Sequence, residues 1–561
     1  MSSNHVDAEA PAAETLPGGE VPAANKKVDA KEARKAARLA EERARAEEKA
    51  ALLEKYKDVF GVASMVQSTT YNSRAYIPMT DLSKPEYVDK SVLIRARVTA
   101  TRKKGKMAFM VLRDGSDSVQ AMAAVDDTIP KEMIDFMGQI PSESIVDVEA
   151  TVSKVDQPIT GASHSNIELK VTKIHIVTES LRTLPFTLED ANRKESEEGV
   201  KVNFDTRLNS RWMDMRSQAS GAIFRMQSRV GQYFRQFLID NDFCEIHSPK
   251  IINAPSEGGA NVFKLQYFNR FAYLAQSPQL YKQMALQGDL PRVFEVGPVF
   301  RAENSNTHRH LTEFVGLDVE MRINEHYYEV LDLAESLFNY MFEHLATHTK
   351  ELEDVCQQYP FEPLVWKLTP EKMKELGVGV ISENIEPTDK YQARVHNMES
   401  RMLRINYIHC IELLNEVLEE KLAPTDDINT TNEKQLGKLV KERYGTDFFI
   451  SDRFPSSLRP FYTMECKDDT RFTNSYDMFI RGEEISSGAQ RIHDPELLLA
   501  RAKMLNVDLT PIKEYVDSFR LGAWPHGGFG VGLERVVMLY LGLGNVRLVS
   551  LFPRDPQRTT P

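Results

Sequence analysis

The segment VFEVGPVFRAENSNTHRHLTEFVGLDVEM, from Val293 to Met321, decides the fold of the larger part of the chain. Two apolar stretches flank the polar residues 302–309, and this pattern predicts a long hairpin of two strands joined by a loop. Arg301 stands where the first strand meets that loop. A guanidinium in this position can hold a phosphate group through two parallel hydrogen bonds. A structural salt bridge is the alternative, and this segment alone does not decide between the two roles.

A second segment, HGGFGVGLERVVMLYL from His526 to Leu541, places glycines directly before an apolar helix that begins near Leu533. Glycines such as Gly530 and Gly532 let a backbone approach a nucleotide closely, and the start of a helix favours anions. We therefore predict a glycine-rich loop that leads into the helix. Arg535, in the first turn of that helix, would reach a phosphate group. Many helix starts share this pattern, so it indicates a nucleotide site only in combination with other signals.

A third segment, YDMFIRGEEISSGAQRIH from Tyr476 to His493, carries two carboxylates. A strand that contains Asp477 leads to Glu484, which predicts two carboxylates on adjacent positions of a sheet. Oxygen ligands of this kind suit Mg²⁺, which keeps the phosphates of a substrate as further ligands. An exposed acidic turn is the alternative interpretation.

The apolar pattern between Val92 and Ile176 has a period of two, which predicts strands. Five such strands, with a short helix over Pro130–Gly138 after the third, predict an OB barrel, although other small β-barrels have the same strand count. Polar residues fill 181–210 and predict a hinge. We accordingly divide the chain into an extension at 1–70, a barrel at 71–180, the hinge at 181–210 and a larger domain at 211–561.

The extension has two parts. Residues 1–24 are rich in Ala, Pro, Gly and Glu without apolar periodicity, which predicts disorder. Residues 29–56 are almost entirely Ala, Glu, Lys and Arg, which predicts a charged helix. Lys31 and Lys35 are one helical step apart on the same face, where they can follow an RNA backbone. A solvent-exposed helix without RNA is the alternative.

Composition excludes several classes of protein. The net charge of −12 argues by itself against a nucleic-acid binder, but charges act locally over about 8 Å, so a basic arm can serve an acidic protein. The four cysteines lie more than fifty residues apart, which favours neither a disulfide framework nor a zinc site. No apolar run reaches the roughly 18 residues of a membrane span. The first 22 residues carry four acids and no Lys or Arg, unlike a targeting signal, so we expect a cytosolic protein.

Taken together and in this order, the three segments resemble the three motifs of the class II aminoacyl-tRNA synthetases. Over about residues 30–561 the chain is similar to the aspartate-specific members from the eukaryotic cytosol. Six segments carry the resemblance: PSEGGA (255–260), QSPQLYKQ (276–283), FRAENSNTHRHLTEF (300–314), SGAQRIH (487–493), GGFGVGLERV (527–536) and LFPRDP (551–556). It implies a multidomain α+β fold with an N-terminal OB-fold β-barrel and a charged helical extension. The class II catalytic domain would be an antiparallel sheet flanked by helices.

The resemblance assigns roles around ATP. Arg301 would contact the α-phosphate and Arg535 the γ-phosphate, while Phe314 stacks on adenine. Asp477 and Glu484 would hold Mg²⁺, and Arg301, Glu484 and Arg535 together would be catalytic. Further positions implied to bind ATP are Glu303, His310, Ser487, Gly530 and Gly532.

The resemblance also assigns the amino acid. Lys282 and Arg491 would face the side-chain carboxylate of aspartate, and the asparaginyl relatives generally lack a lysine at position 282. Gln279 and Asp318 match residues around the substrate ammonium and the specificity lysine. Ser256 and Glu257 lie in a loop that the family closes over the amino acid. Because asparagine would leave buried charge unpaired, such a site can reject it by ~10⁴–10⁵.

On the tRNA side, Phe109, Gln120 and Glu168 match the positions that read the anticodon. A splayed base can stack on Phe109, whereas without the resemblance Phe109 would be assigned to the core. Contacts to tRNA are also implied for Ser305, Thr307, Lys31 and Lys35. The implied partners are tRNA(Asp), ATP, L-aspartate and a second copy of the chain, which would dimerise through the helix of the segment that ends at Pro249.

The implied reaction is ATP-dependent activation of L-aspartate to aspartyl-adenylate, followed by transfer to the 3′ end of tRNA(Asp). Three alternatives stay open. The chain could be an asparaginyl- or lysyl-type class II synthetase, a catalytically retired RNA-binding scaffold, or an amide-forming relative that does not use tRNA. The charged, partly helical segment of roughly residues 355–445 receives no residue-level role.

Overall fold

The computed structural model describes residues 23–255, 262–380 and 393–561, and the chain divides into two compact units that meet between Thr183 and Leu184. Of the stretch predicted to be disordered, residues 1–22 lie outside the described residues, whereas Ala23 and Ala24 begin a helix. In the described ranges, no helix has both the length and the apolar composition to span a membrane.

The first unit is a β-barrel preceded by a long helix. Five strands, β2 to β6, close on one another through the pairing of β5 with β6, and β1 adds in parallel to β6. The helix α2 follows the third barrel strand, so the OB-fold prediction is confirmed. The elements are α1 Ala23–Lys55, β1 Phe60–Val62, β2 Ser91–Lys104, β3 Met107–Asp114, β4 Asp117–Ala124, α2 Lys131–Met137, β5 Ile145–Lys154 and β6 Ile167–Thr178.

The alternation in the barrel sequence sorts its side chains. On β3, Ala108, Met110 and Leu112 are buried in the barrel core, and Phe109 points to the other face. Because successive side chains of a strand point to opposite faces, every second side chain fills the interior of the barrel and the others face outward.

Among its described residues, the second unit is built on a ten-stranded sheet with the order β13-β14-β15-β16-β17-β18-β19-β12-β11-β7. A separate three-stranded sheet has the order β8-β10-β9. The strands are β7 Cys244–Glu245, β8 Ile251–Ile252, β9 Lys264–Tyr267, β10 Arg270–Leu274, β11 Arg292–Phe300, β12 Glu313–Arg322, β13 Gly379–Val380, β14 Ala393–Val395, β15 Leu403–Asn406, β16 Phe448–Asp452, β17 Ser475–Ile480, β18 Glu483–Gln490 and β19 His526–Gly532.

Helices cover this large sheet. They are α3 Leu188–Asn192, α4 Phe204–Asn209, α5 Arg211–Asp214, α6 Gln218–Asp240, α7 Gln279–Gln287, α8 Tyr328–Leu345, α9 Thr349–Gln358, α10 Pro370–Leu376, α11 Tyr407–Val417, α12 Thr430–Tyr444, α13 Pro495–Met504, α14 Lys513–Ser518 and α15 Leu533–Tyr540. The main core joins α6, α8 and α15 to one face of the sheet through side chains such as Phe234, Phe338 and Val536. The predicted hinge contains α3 and α4.

The predicted hairpin forms, and the alternation of side chains along it places the core on one face of the sheet and the candidate site on the other. On β12, Leu317, Val319 and Met321 belong to the core beneath the helices. Asp318 and Glu320 are buried as well but point to the opposite face, because side chains alternate along a strand. That opposite face carries the candidate site.

The prediction of a glycine-rich loop before Leu533 was wrong. Residues His526–Gly532 form strand β19, which lies between β12 and β18 in the middle of the sheet. The glycines permit close strand packing, since a Cβ at Gly528 would collide with the carbonyl oxygen of Val319. The helix itself begins at Leu533 as predicted.

The segment at residues 355–445 adds the short strands β13, β14 and β15 to one edge of the sheet. Strand β15 pairs in parallel with β16, and α11 and α12 pack there around a separate apolar cluster that includes Leu413 and Leu436. This extension brings α12 next to the open face of the sheet, where the site lies.

Candidate active site

A cavity of about 450 Å³ opens on the face of the sheet opposite the main helices. The loop between β11 and β12, strands β18 and β19, and the start of α15 form its walls. Twelve of the residues singled out in the sequence line it: Gln279, Arg301, Glu303, His310, Phe314, Asp318, Glu484, Ser487, Arg491, Gly530, Gly532 and Arg535.

One end of the cavity is dominated by guanidinium groups. The Arg301 guanidinium carbon lies 5.6 Å from the centre of the Phe314 ring. Arg535 donates from Nη1 to the carbonyl oxygen of Glu484 at 2.9 Å and from Nη2 to that of Arg309 at 3.3 Å. Burial lowers the pKa of Arg535, and repulsion from Arg309 and Arg301 adds to the effect. Three cations on one cavity favour an anionic ligand.

His310 lies beside these arginines. Burial lowers the pKa of its imidazole, with a further contribution from Arg535, so the ring is neutral at pH 7. Its Nδ1 lies 2.5 Å from Oγ1 of Thr307 and 3.3 Å from Oγ of Ser305. Both hydroxyl residues, predicted to contact tRNA, therefore lie in the loop next to the cavity.

The two predicted magnesium carboxylates lie on neighbouring strands but are not direct partners. Asp477 pairs with Ser487, whereas Glu484 pairs with Phe479 beyond a bulge. Burial raises the pKa of Asp477 to about 7; the ion pair of its Oδ2 with Arg459 at 2.8 Å opposes the rise, and Glu484 adds to it. Despite this diagonal offset, the carboxylates of Asp477 and Glu484 point to the same side of the sheet.

The other end of the cavity is a buried charge network. Lys282 Nζ donates to Asp318 Oδ1 at 3.0 Å and lies 3.3 Å from Glu320 Oε2. Arg491 Nε donates to Glu320 Oε1 at 2.9 Å, and its Nη2 donates to the carbonyl oxygen of Gly528 at 3.0 Å. The lysine and the arginine predicted to select aspartate therefore share one carboxylate.

Sequence reasoning missed this shared carboxylate, Glu320. Its burial opposes ionisation, but Arg491 and Lys282 outweigh burial and lower its pKa, so Glu320 is an anion. A signal was present in the sequence, because Glu320 stands two residues after Asp318 among the apolar residues Leu317, Val319 and Met321 and so points to the same face as Asp318.

The remaining predicted residues are distributed as follows. Gln279 is buried at the start of α7, one turn before Lys282. Ser256 and Glu257 lie outside the described residues. Lys31 belongs to α1, and Lys35 is exposed on the same helix.

The predicted anticodon residues lie in the barrel on three adjacent strands, β3, β4 and β6. Phe109 is half-buried outside the core, with the Arg102 guanidinium carbon 5.4 Å from its ring centre. Gln120 and Glu168 are partners in the pairing of β4 with β6, and Gln120 Nε2 donates to Glu168 Oε1 at 2.5 Å. The three side chains therefore form one outward surface rather than part of the core.

Comparisons with known proteins agree with this fold and site. Residues 203–556 match the model of the tRNA synthetases class II (D, K and N), and residues 92–177 match the OB-fold nucleic acid binding domain. The cytoplasmic aspartate–tRNA ligase of Homo sapiens is 48% identical over 90% of this chain and 95% of its own length.

Solved structures extend the agreement. A crystal structure from Leishmania major Friedlin, described as an aspartyl-tRNA synthetase, is 86% identical with a TM-score of 0.88, over 91% of this chain and 100% of that one. The aspartyl-tRNA synthetase of Entamoeba histolytica is 42% identical with a TM-score of 0.77, over 90% of this chain and 96% of that one. The chain belongs to the class II tRNA synthetases and, within them, to the aspartate–tRNA ligases. The resemblance inferred from the six sequence segments is confirmed.

Proposed function

We propose that the chain couples ATP to L-aspartate, forms aspartyl-adenylate and transfers the aspartyl group to the 3′ end of tRNA(Asp). The observation that carries the proposal is the continuity of the cavity. The arginines suited to phosphates, Arg301 and Arg535, line the same cavity as Arg491, whose partner Glu320 also contacts Lys282.

In the first step, an oxygen of the aspartate α-carboxylate attacks the α-phosphorus of ATP, and pyrophosphate leaves. Arg301 would neutralise the charge that develops at the α-phosphate, Arg535 would hold the γ-phosphate, and Phe314 would stack on adenine. No proton has to move in this step, so fixed positive charge supplies most of the catalysis. In the second step, a hydroxyl of the terminal ribose attacks the aspartyl carbonyl, and AMP leaves.

Mg²⁺ bound with ATP would lie at Asp477 and Glu484. The fit rests on two observations: Asp477 Oδ1 is buried without a hydrogen-bond partner among the described residues, and the pKa of this carboxyl is raised in a way that a cation would reverse. The ion would neutralise phosphate charge and orient the leaving pyrophosphate. Because the described residues contain no cluster of three metal-ligating side chains, oxygens of ATP would complete the coordination.

Selection of aspartate would depend on the shared charge network. A substrate carboxylate can accept hydrogen bonds from Lys282 and Arg491 as a third anion beside Asp318 and Glu320. The amide of asparagine would instead place an N–H group, itself a donor, against the donor groups of Lys282 and Arg491. Sites built for one polar partner reject the mismatched analogue by ~10⁴–10⁵.

The direct test is ATP–pyrophosphate exchange by the full chain with Mg²⁺ and one amino acid at a time. We expect exchange with aspartate and less than 1% of that rate, roughly, with asparagine or lysine. Exchange with either of those amino acids and not with aspartate would reject the assignment. The absence of exchange with all three would favour a retired RNA-binding scaffold.

Charging of tRNA(Asp) would use the barrel and the loop near His310. The outward surface of Phe109, Gln120 and Glu168 supports base stacking and hydrogen bonding to base edges, and the hydroxyls of Ser305 and Thr307 support contacts at the acceptor end. The relatives that share this organisation are named as cytoplasmic, and we assign the activity to the cytoplasm.

We also propose that the chain acts as a homodimer. The three-stranded sheet of the second unit exposes Ile251 and Phe271, and Phe268 in the turn between two of its strands is 85% exposed. Aromatic side chains grouped in this way favour burial against another protein surface. Sedimentation of the Phe268→Glu, Phe271→Glu variant tests whether this sheet takes part: a monomer is expected, and an unchanged dimer would leave the interface to α6, the helix that precedes Pro249.

A further inference from the structure

Helix α12 (Thr430–Tyr444) contacts the loop between β11 and β12, although nothing in the sequence of this helix suggests a role. Arg309 of that loop donates from Nη1 to Glu433 Oε2 and from Nη2 to Thr430 Oγ1, each at 2.6 Å. The side chains of Arg309 and Glu433 are each 13% exposed. A guanidinium held by two acceptors in a mostly buried setting has one defined orientation.

Helix α12 also packs against the turn that precedes Glu484. A Cβ at Gly437 would collide with the backbone of Gly482, which has a φ of +77°. Next to this contact, Lys434 Nζ lies 3.2 Å from Glu483 Oε1. The helix is therefore fixed to the strand that carries Glu484 as well as to the loop that carries Arg309.

Arg309 connects the helix to the cavity. It lines the cavity wall, and its carbonyl oxygen accepts a hydrogen bond from Arg535. Burial raises the pKa of Glu433, and the hydrogen bond and ion pair with Arg309 oppose that rise without cancelling it. A chain of contacts thus runs from Glu433 through Arg309 to Arg535 at the cavity.

We propose that Glu433, assisted by Thr430, is a positioning residue for ATP: it holds the Arg309 guanidinium at the cavity wall. The inference rests on the proposed function, because the effect is read through adenylate formation. Glu433 acts through Arg309 at the arginine-rich end. Its loss should therefore change kcat/KM for ATP and leave KM for aspartate unchanged, since the Lys282 network lies at the other end.

The experiment measures aspartate-dependent pyrophosphate exchange by the full chain over a range of ATP concentrations. For Glu433→Ala we expect kcat/KM for ATP to fall about tenfold, corresponding to the loss of one oriented charged contact. Glu433→Gln keeps an oxygen that accepts from Arg309, so it should stay within about threefold of the wild type. Thr430→Val should fall between the two.

The Glu433→Gln variant separates positioning from charge. If Glu433 acted only as a negative charge near the phosphates, Gln and Ala would behave alike and both would lower KM for ATP. That result would overturn the proposal. An equal rise of KM for aspartate in Glu433→Ala would do the same, because it would indicate a general loss of structure.

A double-mutant cycle tests whether the effect passes through Arg309. In an Arg309→Ala background, Glu433→Ala should change kcat/KM for ATP by less than about twofold, because coupled residues are not additive. A full tenfold effect in that background would contradict the proposal. The matched control is Arg443→Ala, which removes the exposed pair of Arg443 with Glu416 at the other end of α12 and should leave exchange unchanged.

Different results would reject the proposed function and the positioning role of Glu433. If the wild-type chain shows no aspartate-dependent exchange, the proposed function is wrong. If the wild type is active and Glu433→Ala matches it at every ATP concentration, only the positioning role is wrong.

Discussion

The two ends of the cavity use positive charge in opposite ways. At the amino-acid end, Lys282 and Arg491 are paired with Asp318 and Glu320 before any substrate binds. At the nucleotide end, Arg535 is held by carbonyl oxygens and its pKa is lowered by burial and by the arginines nearby. The first end is a network of two cations and two anions that also supports the fold, whereas the second groups three guanidinium groups, one of them paired with Glu433, on the wall where a polyanion would bind.

The largest effect is expected at the balanced end. Arg491→Ala leaves Glu320 buried with one cation fewer, so the free energy of unfolding should fall by about 3–5 kcal/mol, and aspartate activation should be lost with it. Urea unfolding and pyrophosphate exchange measure the two effects. Loss of activity at unchanged stability would mean that this end is not a structural network.

At the cationic end, we expect a loss of activity without a comparable loss of stability. Arg301→Ala should lower kcat for exchange by ~10²–10³, as removal of one charge-stabilising donor does in other enzymes. The free energy of unfolding should stay within about 1 kcal/mol, because relief of repulsion among the arginines offsets lost contacts. A large loss of stability in this variant would remove the distinction between the two ends.

Substitutions in the barrel should change only the interaction with tRNA. Phe109→Ala should raise KM for tRNA by about tenfold, the value of one stacked base, and leave pyrophosphate exchange unchanged. Phe109→Tyr keeps the ring and serves as the control. An unchanged KM for tRNA in Phe109→Ala would show that the ring does not contact the anticodon.

A pH dependence of stability is also expected at the nucleotide end. Burial raises the pKa of Glu534, which accepts from the backbone N–H of Val315, to about 7. A raised folded-state pKa stabilises the protein below the unfolded value and loses that contribution as pH rises through the folded value. Stability should therefore decline between about pH 4.5 and 7 by on the order of 1–3 kcal/mol. Glu534→Gln should reduce this slope in urea unfolding, and an identical slope would assign the pH dependence to other groups.

The sequence predicted the elements better than the contacts between them. Alternation in the barrel and the hairpin around Arg301 were correct, because both patterns are local. The segment from His526 to Gly532 was wrongly predicted as a loop, since glycines resemble a turn until the crowding of Gly528 against its neighbour strand is visible. Local composition does not record how closely two strands approach.

The candidate site shows the same limit. The family resemblance predicted Lys282 and Arg491, but it did not predict Glu320 between them. The spacing of two residues between Asp318 and Glu320 already indicated that both side chains point to the same face of the strand. The contact of Arg309 with Glu433 joins residues 124 positions apart, and neither belongs to a pattern that names the other. Such pairs depend on the path of the whole sheet.

In the proposed function, the cations at the amino-acid end choose aspartate. This selectivity is tested most directly by the ratio of kcat/KM for aspartate to that for asparagine in pyrophosphate exchange, measured for the wild type and for Lys282→Met, which removes the charge and keeps most of the volume. We predict a ratio of ~10⁴ or more in the wild type and a fall by at least about a hundredfold in the variant. A ratio that stays the same in Lys282→Met would contradict this role of the cations.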